Sequence, residues 1–292
     1  SLDWHVPDGY RGASAADQIH LRYHHLSRAD EVVLAHGDPP QNKPGNPRRL
    51  RYALARRFGA QAQEGAELTS TFVSLYEPYR EQPLIRSVER LEAGVDSEGF
   101  DAVAVRVELA DGATDYLLSC PGEVAMEAGE LRCLGRLGFI RVRDGAVERA
   151  GLIGGTELAL GEFRLTLPAP ALTGTVVRMD RDMEADGRIW VDTVLPTDET
   201  LVGESIIIEN DDVRNACYTI ERVERDGELT MLSLGEVSFV RDFVDRSDYS
   251  KGYVYNFEEG AAFTIPHHVH VRGSGATREV VSTAPAQVSV QQ

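Results

Sequence analysis

Residues 68–79 read LTSTFVSLYEPY, and the alternation inside them decides the class of fold. Leu68, Ser70, Phe72, Ser74 and Tyr76 alternate with Thr69, Thr71, Val73 and Leu75, a period-2 pattern of hydroxyl, β-branched and aromatic side chains that belongs to a strand. Glu77-Pro78 is expected to end that strand, because proline cannot donate to a ladder and holds the residue before it extended. Glu77 and Tyr79 would then sit on a turn at the sheet rim.

The same plan of short strand and turn extends in both directions. Residues 1–18 have little periodicity and read as the end of a strand plus a loop, with Trp4 against the core. Residues 19–26 (IHLRYHHL) set Ile19, Leu21, Tyr23 and His25 against His20, Arg22, His24 and Leu26, and 31–36 return after a turn. Residues 37–47 (GDPPQNKPGNP) read as a surface loop. Residues 48–58 (RRLRYALARRF) place Leu50, Leu54 and Phe58 at fourfold spacing, a helical period, with a strand as the alternative.

Downstream, strands are expected at 84–91, 102–109, 114–119, 138–143 and 146–150, with turns at 96–99, Asp111-Gly112 and Asp144-Gly145. Residues 151–155, 157–160 and 163–167 continue the pattern up to Pro168-Ala169-Pro170, the best internal boundary. Beyond it, 174–180, 188–195, 205–209, 217–225, 228–234, 251–257 and 262–271 read as further strands. From Gly273 the Ser, Thr, Ala, Pro and Gln content reads as a linker. About fifteen short strands imply an all-β fold. The expected layout is a large antiparallel β-sandwich over 1–167, a smaller β-sandwich subdomain over 168–275, and a tail over 276–292.

With 292 residues, 42% of them hydrophobic, the chain can bury a sizeable core. A net charge of -17 argues against nucleic acid or an anionic membrane as partner. Lys43 and Lys251 are the only lysines, so 28 of the 30 basic residues (30 minus 2) are arginine, through compositional bias or as forks for carboxylates. No run approaches the ~20 apolar residues of a membrane span. No leader is visible at Ser1, and the chain reads as a piece of something longer. Cys120, Cys133 and Cys217 lack metal-like spacing; Cys120 and Cys133 are either a hairpin disulfide or two buried thiols.

STFVSLYEPY, preceded by LRYALARRFG and followed by PLIRSVERL, resembles the C-terminal β region of the heparinase II/III-like polysaccharide lyases. LRYHHLSRADEVVLAHGDPPQ and GYVYNFEEGAAFTIP are similar to the same region, so the resemblance spans most of residues 20–270. It implies a partner α/α toroid, on the same or another chain, and β-elimination of uronate-containing polysaccharide in the groove between the two. That chemistry needs a neutralised uronate carboxylate and a base such as Tyr or His. In the family most of these groups come from the toroid, joined by a His or Tyr on the first β strands. No toroid pattern is visible here, and the resemblance implies that the chain begins downstream of the family's HxY-like strand. It is therefore expected to lend a groove wall rather than to act alone. The resemblance further implies an acidic polysaccharide partner, no cofactor, a possible homo-oligomer and a secreted or periplasmic location. The alternatives are a non-catalytic carbohydrate-binding or assembly module, using Tyr10, Tyr52, Tyr76, Tyr79, Tyr253 and Tyr255 as a shallow platform, or an oligomeric structural protein.

Among site candidates, His24 and His25 fall on opposite faces of one strand, and His24, near Arg22, is the catalytic candidate. Arg22, Arg56, Arg57, Glu77 and Tyr79 are the substrate-binding candidates. Tyr79 would stack on sugar or move a proton and Glu77 would orient it; alternatively Glu77 braces a turn between two half-buried tyrosines, Tyr76 and Tyr79. The Arg48, Arg49, Arg51, Arg56 and Arg57 cluster either grips a polyanion or forms a solvated face. His268 and His270 share a strand face with His267 opposite, a metal-like spacing that lacks a third ligand. Asn210-Asp211-Asp212 and Asp180-Arg181-Asp182 have Ca²⁺-like composition. Structural histidines and ordinary acidic loops are the simpler readings, and no metal is expected.

Overall fold

The computed structural model describes residues 1–5, 17–38, 49–58, 70–95, 102–120, 124–181, 185–212, 214–273, 278–283 and 288–291. Among these residues the chain is all-β and antiparallel, with no α-helix and with 3₁₀ turns as short as Glu199–Leu201 and Tyr249–Lys251. The chain forms two compact units. One comprises Ser1–Leu91 with Val105–Asp115, the other Glu92–Ala104 with Tyr116–Gln292.

The first unit contains β1 (Leu2–His5), β2 (Ile19–His25), β3 (Glu31–Gly37), β4 (Leu50–Arg56), β5 (Ser74–Arg80) and β6 (Ile85–Leu91). Strands β1, β2 and β5 make a three-stranded sheet with β2 in the middle. Strands β3 and β4 make a two-stranded ribbon, paired from Glu31↔Arg56 to Gly37↔Leu50. The fourfold spacing at 48–58 therefore marks a strand, not a helix. Leu50 and Leu54 are also evenly spaced, and pairing with β3 decides between the two periods.

The proline does not end its strand either. β5 begins at Ser74, later than the alternation suggests, and runs through Glu77-Pro78 to Arg80 with Pro78 opposite Leu21. β5 is an edge of its sheet, the position where a missing donor is tolerated. Leu68, Thr69, Tyr10, Arg48, the loop at 39–47 and the turn at 96–99 lie outside the described residues.

Chain order continues through β7 (Gly94–Val95), β8 (Val103–Leu109), β9 (Thr114–Ser119), β10 (Ala125–Ala128), β11 (Leu131–Arg143), β12 (Ala146–Leu160) and β13 (Phe163–Thr166). β11 and β12 are one long hairpin closed by Asp144 (φ 50°) and Gly145 (φ 77°), both left-handed, as a two-residue turn of that type demands. The expected strands at 138–143 and 146–150 are its tip. Lower down, the ladder shifts between Leu134 and Gly135, and Gly135 faces Gly155. A Cβ on Gly155 would come within 2.4 Å of the Leu134 carbonyl oxygen and 2.5 Å of the Gly135 Cα, so two backbones touch where this bulge bends the ribbon.

The remaining strands are β14 (Ala171–Met179), β15 (Arg188–Val191), β16 (Ser205–Ile208), β17 (Cys217–Thr219), β18 (Arg222–Asp226), β19 (Leu229–Ser233), β20 (Val240–Phe243), β21 (Tyr253–Tyr255), β22 (Ala262–Pro266), β23 (His268–Arg272), β24 (Glu279–Ser282) and β25 (Ser289–Gln291). A seven-stranded sheet runs β17-β16-β22-β14-β15-β19-β18. β14 serves both halves, pairing β22 through residues 171–175 and β15 through 176–179. Val176, Ile189, Val191, Leu201, Ile206, Ile220, Leu232, Phe263 and Ile265 form the core between the halves.

The boundary expected at 167/168 falls between the sheet that contains β11, β12 and β13 and the seven-stranded sheet. After β22 the chain returns to the sheet of β11 and β12, where β23 pairs β12 and is followed by β24; β25 pairs β13. The expected tail at 276–292 thus supplies two edge strands. The single strands expected at 217–225 and 262–271 are each two strands, broken at Ile220-Glu221 and His267. All three cysteines are free thiols: Cys120 and Cys133 are buried and Cys217 is exposed. Burial, with a smaller effect of Cys120, pushes the Cys133 thiol up to about 12.

The backbone contact at Gly135 and Gly155 yields a stability expectation. Gly155→Ala forces a methyl group into the Leu134 carbonyl and should cost at least about 1–3 kcal/mol in urea unfolding. An unchanged midpoint would show that the two backbones are not in contact.

Candidate functional site

The central strand of the first unit's sheet directs alternate side chains to one face. Its register places Asp3 opposite Arg22 and His5 opposite His20 on β1; on β5, Tyr79 faces His20, Glu77 faces Arg22 and Leu75 faces His24. Side chains paired across strands share a face. Asp3, His5, His20, Arg22, His24, Glu77 and Tyr79 therefore meet on one surface, while Tyr23, His25 and Tyr76 lie on the other.

Two carboxylates organise this surface. The Asp3 Oδ1 lies 2.8 Å from the His20 Nδ1, and its Oδ2 accepts from the Arg22 Nε at 2.8 Å and from the Tyr79 hydroxyl at 2.5 Å. The Arg22 Nη2 also donates to the Tyr79 oxygen at 3.0 Å. The His20 ring stacks on Tyr79 with centroids 4.9 Å apart and planes 12° from parallel, and His5 lies 5.2 Å from His20. Partial burial works to raise the Asp3 carboxyl, but the bonds from Tyr79, His20 and Arg22, with the Arg22 charge, outweigh it and hold the group at about 2. The Tyr79 hydroxyl is raised, first by its bond to Asp3 and then by burial, with Arg22 working against both. A tyrosine that gives its proton to a carboxylate is a poor base.

Glu77 is the second carboxylate, and its side chain is only 1% exposed. Its Oε1 accepts from the backbone N–H groups of Leu84 and Ile85 at 2.6 and 2.7 Å. Its Oε2 lies 2.9 Å from the His24 Nε2 and 3.7 Å from the Arg22 Nη1. Glu77 thus ties β5 to the start of β6 and fixes the His24 ring. The bracing expected of Glu77 is present, but its two tyrosines differ: Tyr79 is 9% exposed and Tyr76, on the opposite face, 62%.

Of the expected site residues, the fold brings together Arg22, His24, Glu77 and Tyr79. Arg56 is held on the β3–β4 ribbon by Glu31, over the Phe58 ring at 5.4 Å, and Arg57 is exposed just past β4. Arg51 reaches His36 and Arg49 lies 3.8 Å from Asp38, so much of the basic cluster pairs within the ribbon and its flanks. Asp3, His5 and His20 were not among the candidates. The H-x-R-x-H spacing of His20, Arg22 and His24 signals one strand face, but only the register with β1 adds Asp3.

The histidines of β23 belong to the second unit. His268 Nδ1 lies 2.9 Å from the Glu204 Oε2, and the His268 and His270 rings are 5.4 Å apart. Even so, no group of three His, Cys, Asp or Glu side chains that could hold a metal occurs among the described residues. Asp211 pairs Arg241 and Asn210 caps its own loop through the Asp212 N–H; Asp182 lies outside the described residues. His267 is 5% exposed and its Nδ1 has no partner among the described residues. Burial, then the neighbouring His268, lowers its pKa from the ordinary 6.5.

No family model, curated protein or solved structure matches the chain.

Two expectations follow from these buried groups. Glu77→Ala strips two backbone N–H groups and His24 of their acceptor and should destabilise the fold by about 1–3 kcal/mol in chemical unfolding, with Tyr76→Ala as a near-neutral control on the other face. His267 binds its proton less readily folded than unfolded, so its contribution is complete above about pH 6.5 and falls as pH drops below that value towards the lower folded pKa. The melting temperature of His267→Gln should therefore fall less between pH 7 and pH 5.5 than that of the parent. Parallel curves would remove His267 as the cause.

Proposed function

We propose that this chain is the β wall of a heparinase II/III-like lyase that cleaves uronic-acid-containing polysaccharide by β-elimination, working against an α/α toroid domain. The observation that supports this reading most is the row of His20, Arg22 and His24 on one strand face, held by Asp3, Glu77 and Tyr79. Elimination requires a base near the uronate C5 and positive charge or donors at its carboxylate. Histidines braced by carboxylates are suited to the first task. Arg22 is already engaged by Asp3 and Tyr79, so its role is to set the electrostatics of the row, and most of the neutralisation of the substrate carboxylate falls to the toroid.

The competing reading, a sugar-binding platform of tyrosines, draws little support. Tyr76 and Tyr79 point to opposite faces of β5, and Tyr79 is buried.

The test is an elimination assay on alginate, hyaluronan, heparan sulfate and other uronans, following the ultraviolet absorbance of the C4=C5 unsaturated product. The protein should be active when it carries the toroid and inactive as residues 1–292 alone. Failure of the toroid-bearing protein on every uronan would overturn the reading.

A further inference from the structure

His20 and His24 lie on the same face of β2, roughly 13 Å apart along the strand, and each is braced by a carboxylate. The carboxylates hold opposite nitrogens. Asp3 takes Nδ1 of His20, whereas Glu77 takes Nε2 of His24. With its pKa held at about 2, Asp3 is ionised at neutral pH and can only accept, so the neutral His20 ring must carry its proton on Nδ1. The lone pair is left on Nε2, the ring nitrogen farther from the backbone, and that atom has no protein partner among the described residues. His24 has its distal nitrogen occupied by Glu77, a side chain that also anchors Leu84 and Ile85. Its remaining nitrogen, Nδ1, sits close to its own backbone.

We infer that His20, rather than His24, is the residue of this chain that takes the proton from substrate, and that Asp3 is a positioning residue that sets its tautomer. The assignment of a reaction rests on the lyase reading, and the placement of the lone pair does not. In the elimination, the C5–H bond breaks and its proton passes to the His20 Nε2 while its electron pair forms the C4=C5 bond. The C4–O4 bond breaks, and the departing oxygen takes a proton from water. The imidazolium then returns its proton to the hydroxide so formed. While His20 is charged, its Nδ1–H faces the Asp3 carboxylate, which stabilises the cation. The Tyr79 ring, stacked on His20 and tied to Asp3, keeps the imidazole from rotating.

Asp3→Asn makes a specific change. The Oδ2 position accepts two donors, Arg22 and Tyr79, so the amide keeps its oxygen there and turns its NH₂ towards His20. The Nδ1 must then accept, and the proton moves to Nε2.

Long-range ¹H–¹⁵N correlation on histidine-labelled protein reads this directly. Wild-type His20 should show a protonated Nδ1 and a bare Nε2, and Asp3→Asn should exchange the two. Diethyl pyrocarbonate, mapped by mass spectrometry, should modify wild-type His20 faster than His24, and Asp3→Asn should slow the reaction at His20. A protonated Nε2 in the wild type, or faster modification of His24, would overturn the assignment without any variant being needed. In the toroid-bearing protein, His20→Gln should lose on the order of 10²–10⁴ of the elimination rate, and retention of full rate would remove His20 as the base. Should the tautomer be as stated while no uronan is cleaved, the lyase reading falls and the geometry of the lone pair stands.

Discussion

The buried carboxylate of Glu77 is the constraint on which the first unit depends. It sits in an edge strand beside a proline, where the backbone offers one donor fewer than a regular strand would. Both its oxygens are engaged, one by the two N–H groups that open β6 and one by His24. A carboxylate buried to this extent is tolerable only when fully bonded. Once it is, β5 is locked at both its flanks, and the register that aligns Tyr79 with His20 and Glu77 with Arg22 follows.

Asp3 repeats this logic nearer the solvent, gathering three donors on two oxygens. The pattern illustrates how this arginine-rich chain uses its cations. Arg188 meets Asp180, Arg241 meets Asp211, and Arg178 lies 3.7 Å over the Trp190 ring while reaching Asp226, which also accepts the indole N–H. A planar fork serves these paired contacts better than an ammonium does. Arginine here is spent largely on the chain's own carboxylates, which explains why Arg22, central as it is, offers little free charge to a ligand.

The all-β class was legible from alternation and from turn pairs such as Asp144-Gly145, because a left-handed two-residue turn has few sequence solutions. The β2 face was equally legible, since its partition follows from period two alone. What local pattern cannot supply is register. Asp3 enters the site only because β1 docks with Asp3 opposite Arg22, and nothing within SLDWH specifies that alignment. The same gap explains the helical period at 48–58, where β3 selects the strand, and the proline at 78, whose tolerance depends on β5 being an edge. The C-terminal stretch misled for another reason. Strands β24 and β25 are short edge strands whose polar composition looks like that of a linker.

The seven-stranded sheet is an insertion. The chain leaves the sheet of β11 and β12 after β13 and re-enters it at β23, and the exit and entry are held together by the His267 N–H on the Pro170 carbonyl at 2.8 Å. During synthesis β12, covered by β13 over residues 157–160, must therefore wait with residues 149–153 of the same edge bare until the whole inserted sheet has left the ribosome and β23 arrives to cover them. A bare strand edge is a template for wrong pairing. The nascent chain is most exposed to aggregation in that interval, and the speed with which the insert folds and returns the chain to β12 sets how long it lasts.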